Sequence, residues 1–135
     1  MGDCIFCKIV SNKLPSHKVY EDENTLAFLD HNPVNPGHTL VIPKNHSRNL
    51  YEIEASDWQA LMETTRMLSS RIKDGMSADG INIEMNNERP AGQVVFHSHV
   101  HIVPRIDDDG LRHWPGTPYK DGEPEKVVEK IKNLL

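Results

Sequence analysis

The chain has 135 residues, 37% of them apolar and 26% charged, with a formal net charge of −5. That length makes one domain over residues 1–135, long enough to bury a core. Net acidity removes any general attraction to nucleic acid or anionic membrane, and no apolar run approaches the roughly 20 residues of a membrane span.

The opening residues carry no basic stretch followed by an apolar one, so no signal peptide is expected and a cytoplasmic protein is. Cysteine occurs only at Cys4 and Cys7. Two cysteines do not make a disulfide scaffold, and the C-x-x-C they form reads as a redox pair, half of a metal site, or coincidence. A thioredoxin-like motif would follow a strand in a β-α unit. Half a zinc site would ask for two more ligands, and histidine is plentiful.

Residues 5–10 predict a short helical turn, with Leu14-Pro15 leading out of it. Val19-Tyr20 reads as a strand, 21–24 as a tight acidic turn and 25–30 as the returning strand of a hairpin. The segment 31–37 is dense in breakers and must be a loop. Residues 38–43 form the next strand, closed by Pro43, and 44–50 a polar loop.

From Ser56 the period becomes helical: Trp58, Leu61, Met62, Thr65, Leu68 and Ile72 fall on one face. Ser56 with Gln59 predicts a capping box, and Gly75 a stop. Residues 81–85 alternate as a strand, and 86–92 form the loop that follows. Beyond Arg105 the chain is acidic and turn-rich, until a last helix over 125–135 with Val127, Val128, Ile131 and Leu134 as its apolar stripe. Antiparallel strands with helices set apart in sequence indicate an α+β fold.

Between these elements lies His97-Ser98-His99-Val100-His101-Ile102-Val103-Pro104-Arg105. Strand alternation puts His97, His99, His101 and Val103 on one face and Ser98, Val100 and Ile102 on the other, with Pro104 ending the strand. Same-face neighbours stand roughly 7 Å apart, so His97 and His101 are about 13 Å apart and cannot share one metal ion. The three histidines therefore have different jobs. The blander alternatives are a solvated polar face or an H-x-H metal pair on a barrel strand.

At these residues the chain resembles the histidine triad (HIT) family of nucleotide hydrolases and transferases, whose pattern is His-x-His-x-His followed by two apolar residues. Gly92-Gln93 and Pro104-Arg105 sharpen the likeness toward the hydrolase branches. The resemblance spans about residues 4–105. It implies a HIT-like antiparallel half-barrel with one long helix and short terminal helices, and a purine nucleotide substrate cleaved at its α-phosphate. The substrate classes it implies are nucleoside phosphoramidates and dinucleoside polyphosphates.

In that family the middle histidine attacks phosphorus, which here is His99. The chemistry suits the residue, because a neutral imidazole has one acceptor nitrogen and a covalent intermediate splits one hard displacement in two. His101 is implied as a donor to the phosphate or leaving group, and His38 as a support through hydrogen bonds. Family transferases often have glutamine at the position of His101, so the histidine favours hydrolysis. A nucleotidyl transferase and a nucleotide-binding scaffold with little turnover are the alternatives.

Gly92, Gln93 and Val94 are candidates for backbone donors to phosphate, since glycine permits close approach. Many hydrolase relatives carry a hydroxyl where this chain has Val94, which leaves Val94 only its backbone N–H. Asn86 aligns with a family asparagine near phosphate and ribose, though alone it reads as a turn residue. Asp30 can accept from a ribose cis-diol, or it can cap the turn before Asn32-Pro33. Phe6, Phe28 and His31 are implied to contact the base.

For Cys4 and Cys7 the resemblance implies one structural Zn2+ per chain, completed by His46 and His97. It also implies a homodimer. Met62, Met67, Ile81, Ile83 and Met85 are more large apolar residues than one half-barrel readily covers. Some relatives carry a tryptophan near their end that reaches the partner's pocket, as His113-Trp114-Pro115-Gly116 would, but here the chain runs on beyond it.

Overall fold

The computed structural model describes residues 2–135. Helix α1 (Ile5–Val10) opens at Cys4, whose Sγ accepts from the Cys7 backbone N–H at 3.4 Å. A helix this short cannot hold itself in water; it is held by burying Phe6 and Ile9. Strands β1 (Lys18–Glu21) and β2 (Thr25–Leu29) form the expected hairpin. Asp22 closes its turn by accepting from the backbone N–H groups of Asn24 and Thr25.

Strand β3 (Thr39–Pro43) is buried throughout. Then come helix α2 (Ala55–Gly75), strand β4 (Gly80–Glu84), a short 3-10 turn at Arg89–Ala91, strand β5 (Val100–Arg105) and helix α3 (Glu123–Lys132). The five strands make one antiparallel sheet in the order β1-β2-β3-β5-β4. The fold is therefore α+β, with one long helix and short helices at either end.

Strand alternation divides the core. Ala27, Val41, Val100 and Ile102 meet Leu61, Leu68 and Ile72 of α2 on one face. Leu26, Phe28, Leu40 and Ile42 meet Phe6 and Ile9 of α1 on the other. His101 lies between Val100 and Ile102 in sequence, so it must face α1. Its partner across β3 is Leu40, which brings the start of β3, and with it His38, onto the same face.

Four expectations need correction. The last strand begins at Val100, so His97 and His99 precede the sheet. They are held by side-chain contacts, and Ser98 donates its backbone N–H to the Ser47 carbonyl at 2.8 Å. Pro104 does not end the strand. Its carbonyl turns toward the β3 side and accepts from Asn35 Nδ2 at 2.8 Å, where β3 no longer pairs, so the N–H it lacks removes no ladder bond.

The capping box at Ser56 does not form. The helix starts one residue earlier, with Glu54 at the cap and no side-chain cap bond. The last helix likewise starts at Glu123, with Pro124 in its first turn where proline is tolerated. None of its residues is buried, and Ile83 on the edge strand is 49% exposed. Among the described residues, no helix is long and apolar enough to cross a membrane.

Candidate active site and metal centre

Two clusters of histidine sit side by side where the segment leading into β5 crosses the α1 face. The first gathers Cys4 and Cys7 from α1, His46 from the loop after β3, and His97. Cys4 Sγ lies 3.5 Å from His97 Nδ1, and Cys7 Sγ lies 3.4 Å from His46 Nδ1 and 3.6 Å from His97 Nδ1. The two Nδ1 atoms are 3.2 Å apart. Tetrahedral zinc, with bonds of about 2.3 Å to sulfur and about 2.05 Å to nitrogen, spaces a sulfur and a nitrogen about 3.5 Å apart and two nitrogens about 3.3 Å apart. The donor atoms fit that geometry.

The tautomer fits as well. His97 Nε2 lies 2.8 Å from the Pro43 carbonyl oxygen, which can only accept, so Nε2 carries the proton and Nδ1 presents its lone pair to the cluster. Burial holds His97 down to about 4. Burial and the neighbouring Cys4 push the Cys7 thiol up to about 11. A divalent cation held at the cluster would reverse the shift of Cys7.

The second cluster is His38, His99, His101 and Asp30. His99 Nδ1–H donates to the His97 carbonyl at 2.7 Å, so Nε2 is the unprotonated nitrogen. His38 Nδ1 accepts from the Val34 backbone N–H at 3.0 Å, which makes its Nε2 the donor to His101 Nδ1 at 2.9 Å. His101 therefore keeps its own proton on Nε2. The rings of His99 and His101 are 5.0 Å apart between centroids. A donor nitrogen and an acceptor nitrogen stand side by side.

Burial lowers all three of these histidines. It holds His101 down to about 4, with help from His99 and His38, and depresses His38 and His99 against the raising influence of Asp30. The rings are neutral at pH 7, as a nucleophilic imidazole requires. Asp30 Oδ2 is 3.6 Å from His38 Nε2, and its Oδ1 accepts from the Asn32 backbone N–H at 2.9 Å. The turn-capping reading of Asp30 thus holds for one oxygen.

A cavity of about 340 Å³ opens onto this cluster. It is lined by Phe6, Phe28, Asp30 and His31 on one side and by Asn86, Gly92, Val94, His99 and His101 on the other. Its size falls within the range of small-molecule sites. Ile5, Ile9, Leu40 and Val95 add apolar wall that the sequence did not single out. Phe6 stands edge-on to His99, with centroids 5.2 Å apart.

Three of the expected site residues do not line the cavity. His97 faces the cysteines, and His38 lies behind His101. Gln93 is 3% exposed, and its amide is used inside the protein. Its Nε2 donates to the carbonyls of Arg48 and Val95, and its Oε1 accepts from the Glu88 N–H. Two larger hollows, about 640 and 670 Å³, lie against β4 and residues 105–114. Neither contains a paired nucleophile and donor.

The antiparallel sheet thus presents a neutral, oriented histidine pair to a small apolar-walled cavity. Residues 11–108 match the HIT domain, and the chain belongs to that family. It is 48% identical to the protein hit of Bacillus subtilis over 126 residues, 93% of this chain and 87% of the relative. It is 35% identical over 140 residues to adenosine 5'-monophosphoramidase HNT1 of Candida albicans, covering 99% and 92%. The adenylylsulfatase HINT3 of Arabidopsis thaliana is 42% identical over 110 residues, 82% of this chain and 56% of that protein.

Among solved structures, that of SMU.412c from Streptococcus mutans UA159 superposes with a TM-score of 0.93 at 43% identity, covering 98% of this chain and 85% of that one. A zinc-bound histidine triad family protein from Mycobacterium smegmatis superposes at 0.78 with 33% identity, covering 99% of each. The family includes nucleotide hydrolases.

Proposed function

We propose that the chain is a single-domain nucleotidyl hydrolase acting at the α-phosphate of purine nucleoside phosphoramidates or dinucleoside polyphosphates. The observation that carries this reading is the pairing of tautomers. The His97 carbonyl leaves His99 Nε2 with a free lone pair, while His38 leaves His101 with an Nε2–H beside it.

His99 Nε2 attacks phosphorus and forms a P–N bond. The bond to the leaving group breaks, its electron pair goes with the leaving group, and solvent supplies the proton an amine needs. Water then attacks phosphorus and the P–Nε2 bond breaks. Its electrons return to His99 and the surplus proton leaves to solvent. His101 Nε2–H steadies the charge that builds on the phosphate oxygens.

Asn86 and the backbone at Gly92 and Val94 hold the phosphate. Gln93 serves them by bracing their loop. Asp30 takes the ribose hydroxyls, and Phe6, Phe28 and His31 wall the base. Zn2+ held by Cys4, Cys7, His46 and His97 would act structurally, fastening the N-terminus to the segment that carries His99. The relative with zinc supports this assignment. The half-exposed Ile83 on an edge strand supports a homodimer paired through β4, and the protein is expected in the cytoplasm.

The test is mass spectrometry of protein quenched while turning over adenosine phosphoramidate. An adenylyl adduct on His99 is expected. Steady turnover with no adduct would remove the covalent step. Tight mononucleotide binding with no turnover would leave a nucleotide-binding protein.

A further inference from the structure

Beside His99 and His101 the cavity wall comes from a single segment, residues 86–95, and no sheet partner holds it. It turns through Glu88 at φ +73° and Gly92 at φ +94°. The two cavity residues Gly92 and Asn86 are neighbours: a Cβ on Gly92 would stand 3.4 Å from Asn86 Nδ2, in ordinary contact. What holds the segment as a whole lies behind it, in residues 47–50. The Leu50 N–H donates to Asn87 Oδ1 at 2.8 Å, and Arg48 pairs with Glu88 through Nε at 2.8 Å and Nη2 at 2.7 Å. The Arg48 carbonyl receives the Gln93 amide at 2.7 Å.

At the centre of these contacts is Asn49, a polar side chain only 1% exposed. Its Nδ2 donates to Glu88 Oε1 at 2.6 Å and lies 3.4 Å from Gln93 Oε1, and its Oδ1 accepts from the Tyr51 N–H at 3.1 Å. Every polar atom of the amide is used. Its orientation is fixed too, because both carboxylate and amide oxygens of its partners need a donor. An unmet buried acceptor is costly, so the amide and the fold of the loop determine each other. The side chains that line the base side of the cavity come from α1, β2 and the residues just after β2, and the lock reaches them through the Gln93 bond to the carbonyl of Val95, which packs against Phe6 and Phe28.

We propose that Asn49 is a positioning residue: joining Glu88 to Gln93 from inside the protein, it fixes the backbone of the 86–95 loop and so sets affinity for the phosphate end of the ligand. The inference rests on reading the cavity as a nucleotide site, and it makes a claim that reading does not. Disturbing Asn49 must weaken a nucleotide more than its nucleoside. A change that merely loosened the protein would weaken both.

The experiment measures AMP and adenosine binding by calorimetry to wild type, N49D, E88Q, E88A and the double variant N49D/E88Q. N49D is isosteric but turns an acceptor toward two acceptors. It is expected to weaken AMP by about 10- to 100-fold, the loss of roughly one charge-assisted hydrogen bond to phosphate, with adenosine unchanged within about twofold. In the double variant the amide introduced by E88Q supplies the donor that N49D removes, so most of the AMP affinity returns. E88A changes a side chain at the surface and gives the same split to a smaller degree if N49D does not fold.

AMP and adenosine weakening together, or no recovery in the double variant, overturns the lock. If wild-type protein binds neither ligand, the nucleotide reading falls and this inference falls with it.

Discussion

The two histidine clusters share a wall and differ in what lies between their nitrogens. Around His97, nitrogens and sulfurs stand 3.2 to 3.6 Å apart, and His97 presents the lone pair of Nδ1 to the group. Between His38 and His101 the nitrogens are 2.9 Å apart, and the Val34 N–H on His38 Nδ1 makes His38 the donor and His101 the acceptor of that bond. The first spacing suits a metal ion and the second a proton. Asp30, His38 and His101 are near enough to be counted as possible ligands. The hydrogen bond from His38 Nε2 to His101 Nδ1 already occupies the donor of one ring and the lone pair of the other. What looks in sequence like one run of histidines divides into two clusters, which the proposed function makes a structural one and a reactive one. One residue joins them: His97 gives Nδ1 to the first and its carbonyl to the second.

The largest expected effect lies on the reactive side. His99→Ala should abolish turnover of adenosine phosphoramidate, a loss of many orders of magnitude, because no other lone pair replaces Nε2. Metal content and AMP binding should remain near wild type. His101→Ala removes a donor and should cost roughly 100- to 1,000-fold in kcat. If His99→Ala also emptied the metal cluster, the division between the two clusters would be lost.

The complementary change is C4S/C7S. Protein prepared without added metal should contain about one zinc per wild-type chain and none in the variant, by elemental analysis. The variant should melt earlier, because ligand binding to the native state is stabilising, yet retain some turnover. A folded variant with no turnover at all would move the metal into the chemistry.

The third effect is a pH dependence with a definite sign. His101 is held down to about 4, chiefly by burial. Protonating its Nδ1 would set two N–H groups against each other across the 2.9 Å gap to His38. The acid limb of kcat/KM should therefore lie below pH 6.5 and toward pH 4. Stability follows the same window. The contribution of a histidine held neutral is full above about 6.5, where the unfolded chain is neutral too. It is lost as pH falls toward 4, because the unfolded chain takes up protons that the folded chain refuses. An acid limb at or above pH 6.5 would show that His101 titrates as an ordinary exposed imidazole.

Much of this was legible in the chain because it is local. The helical period from Trp58 to Ile72, the breakers of 31–37 and the apolar alternation of Val100 and Ile102 each point to one element. The start of β5 was not legible, because His97 and His99 keep the alternation of a strand without having a strand beside them. The bond from His38 to His101 depends on the register of β3 against β5, which no local pattern encodes. His46 came only through the resemblance. Asn49 and Gln93 illustrate the limit: in a polar loop nothing local distinguishes an amide facing water from one buried against a carboxylate.

The smallest expected effect separates the two uses of Asp30. One oxygen accepts from the Asn32 N–H, a bond that any turn-capping carboxylate would make. The other lies 3.6 Å from His38 Nε2 and belongs to a side chain that lines the cavity. If that oxygen takes the ribose hydroxyls, Asp30→Asn exchanges one acceptor for a donor while preserving shape. KM for a ribonucleoside phosphoramidate should then rise by about tenfold, as expected for losing one hydrogen bond to a charged group. For the 2′,3′-dideoxy analogue, which offers nothing to accept from, KM should change by no more than about twofold. A rise of equal size for both substrates would mean that Asp30 acts through the turn alone, and ribose recognition would have to be sought elsewhere on the cavity wall.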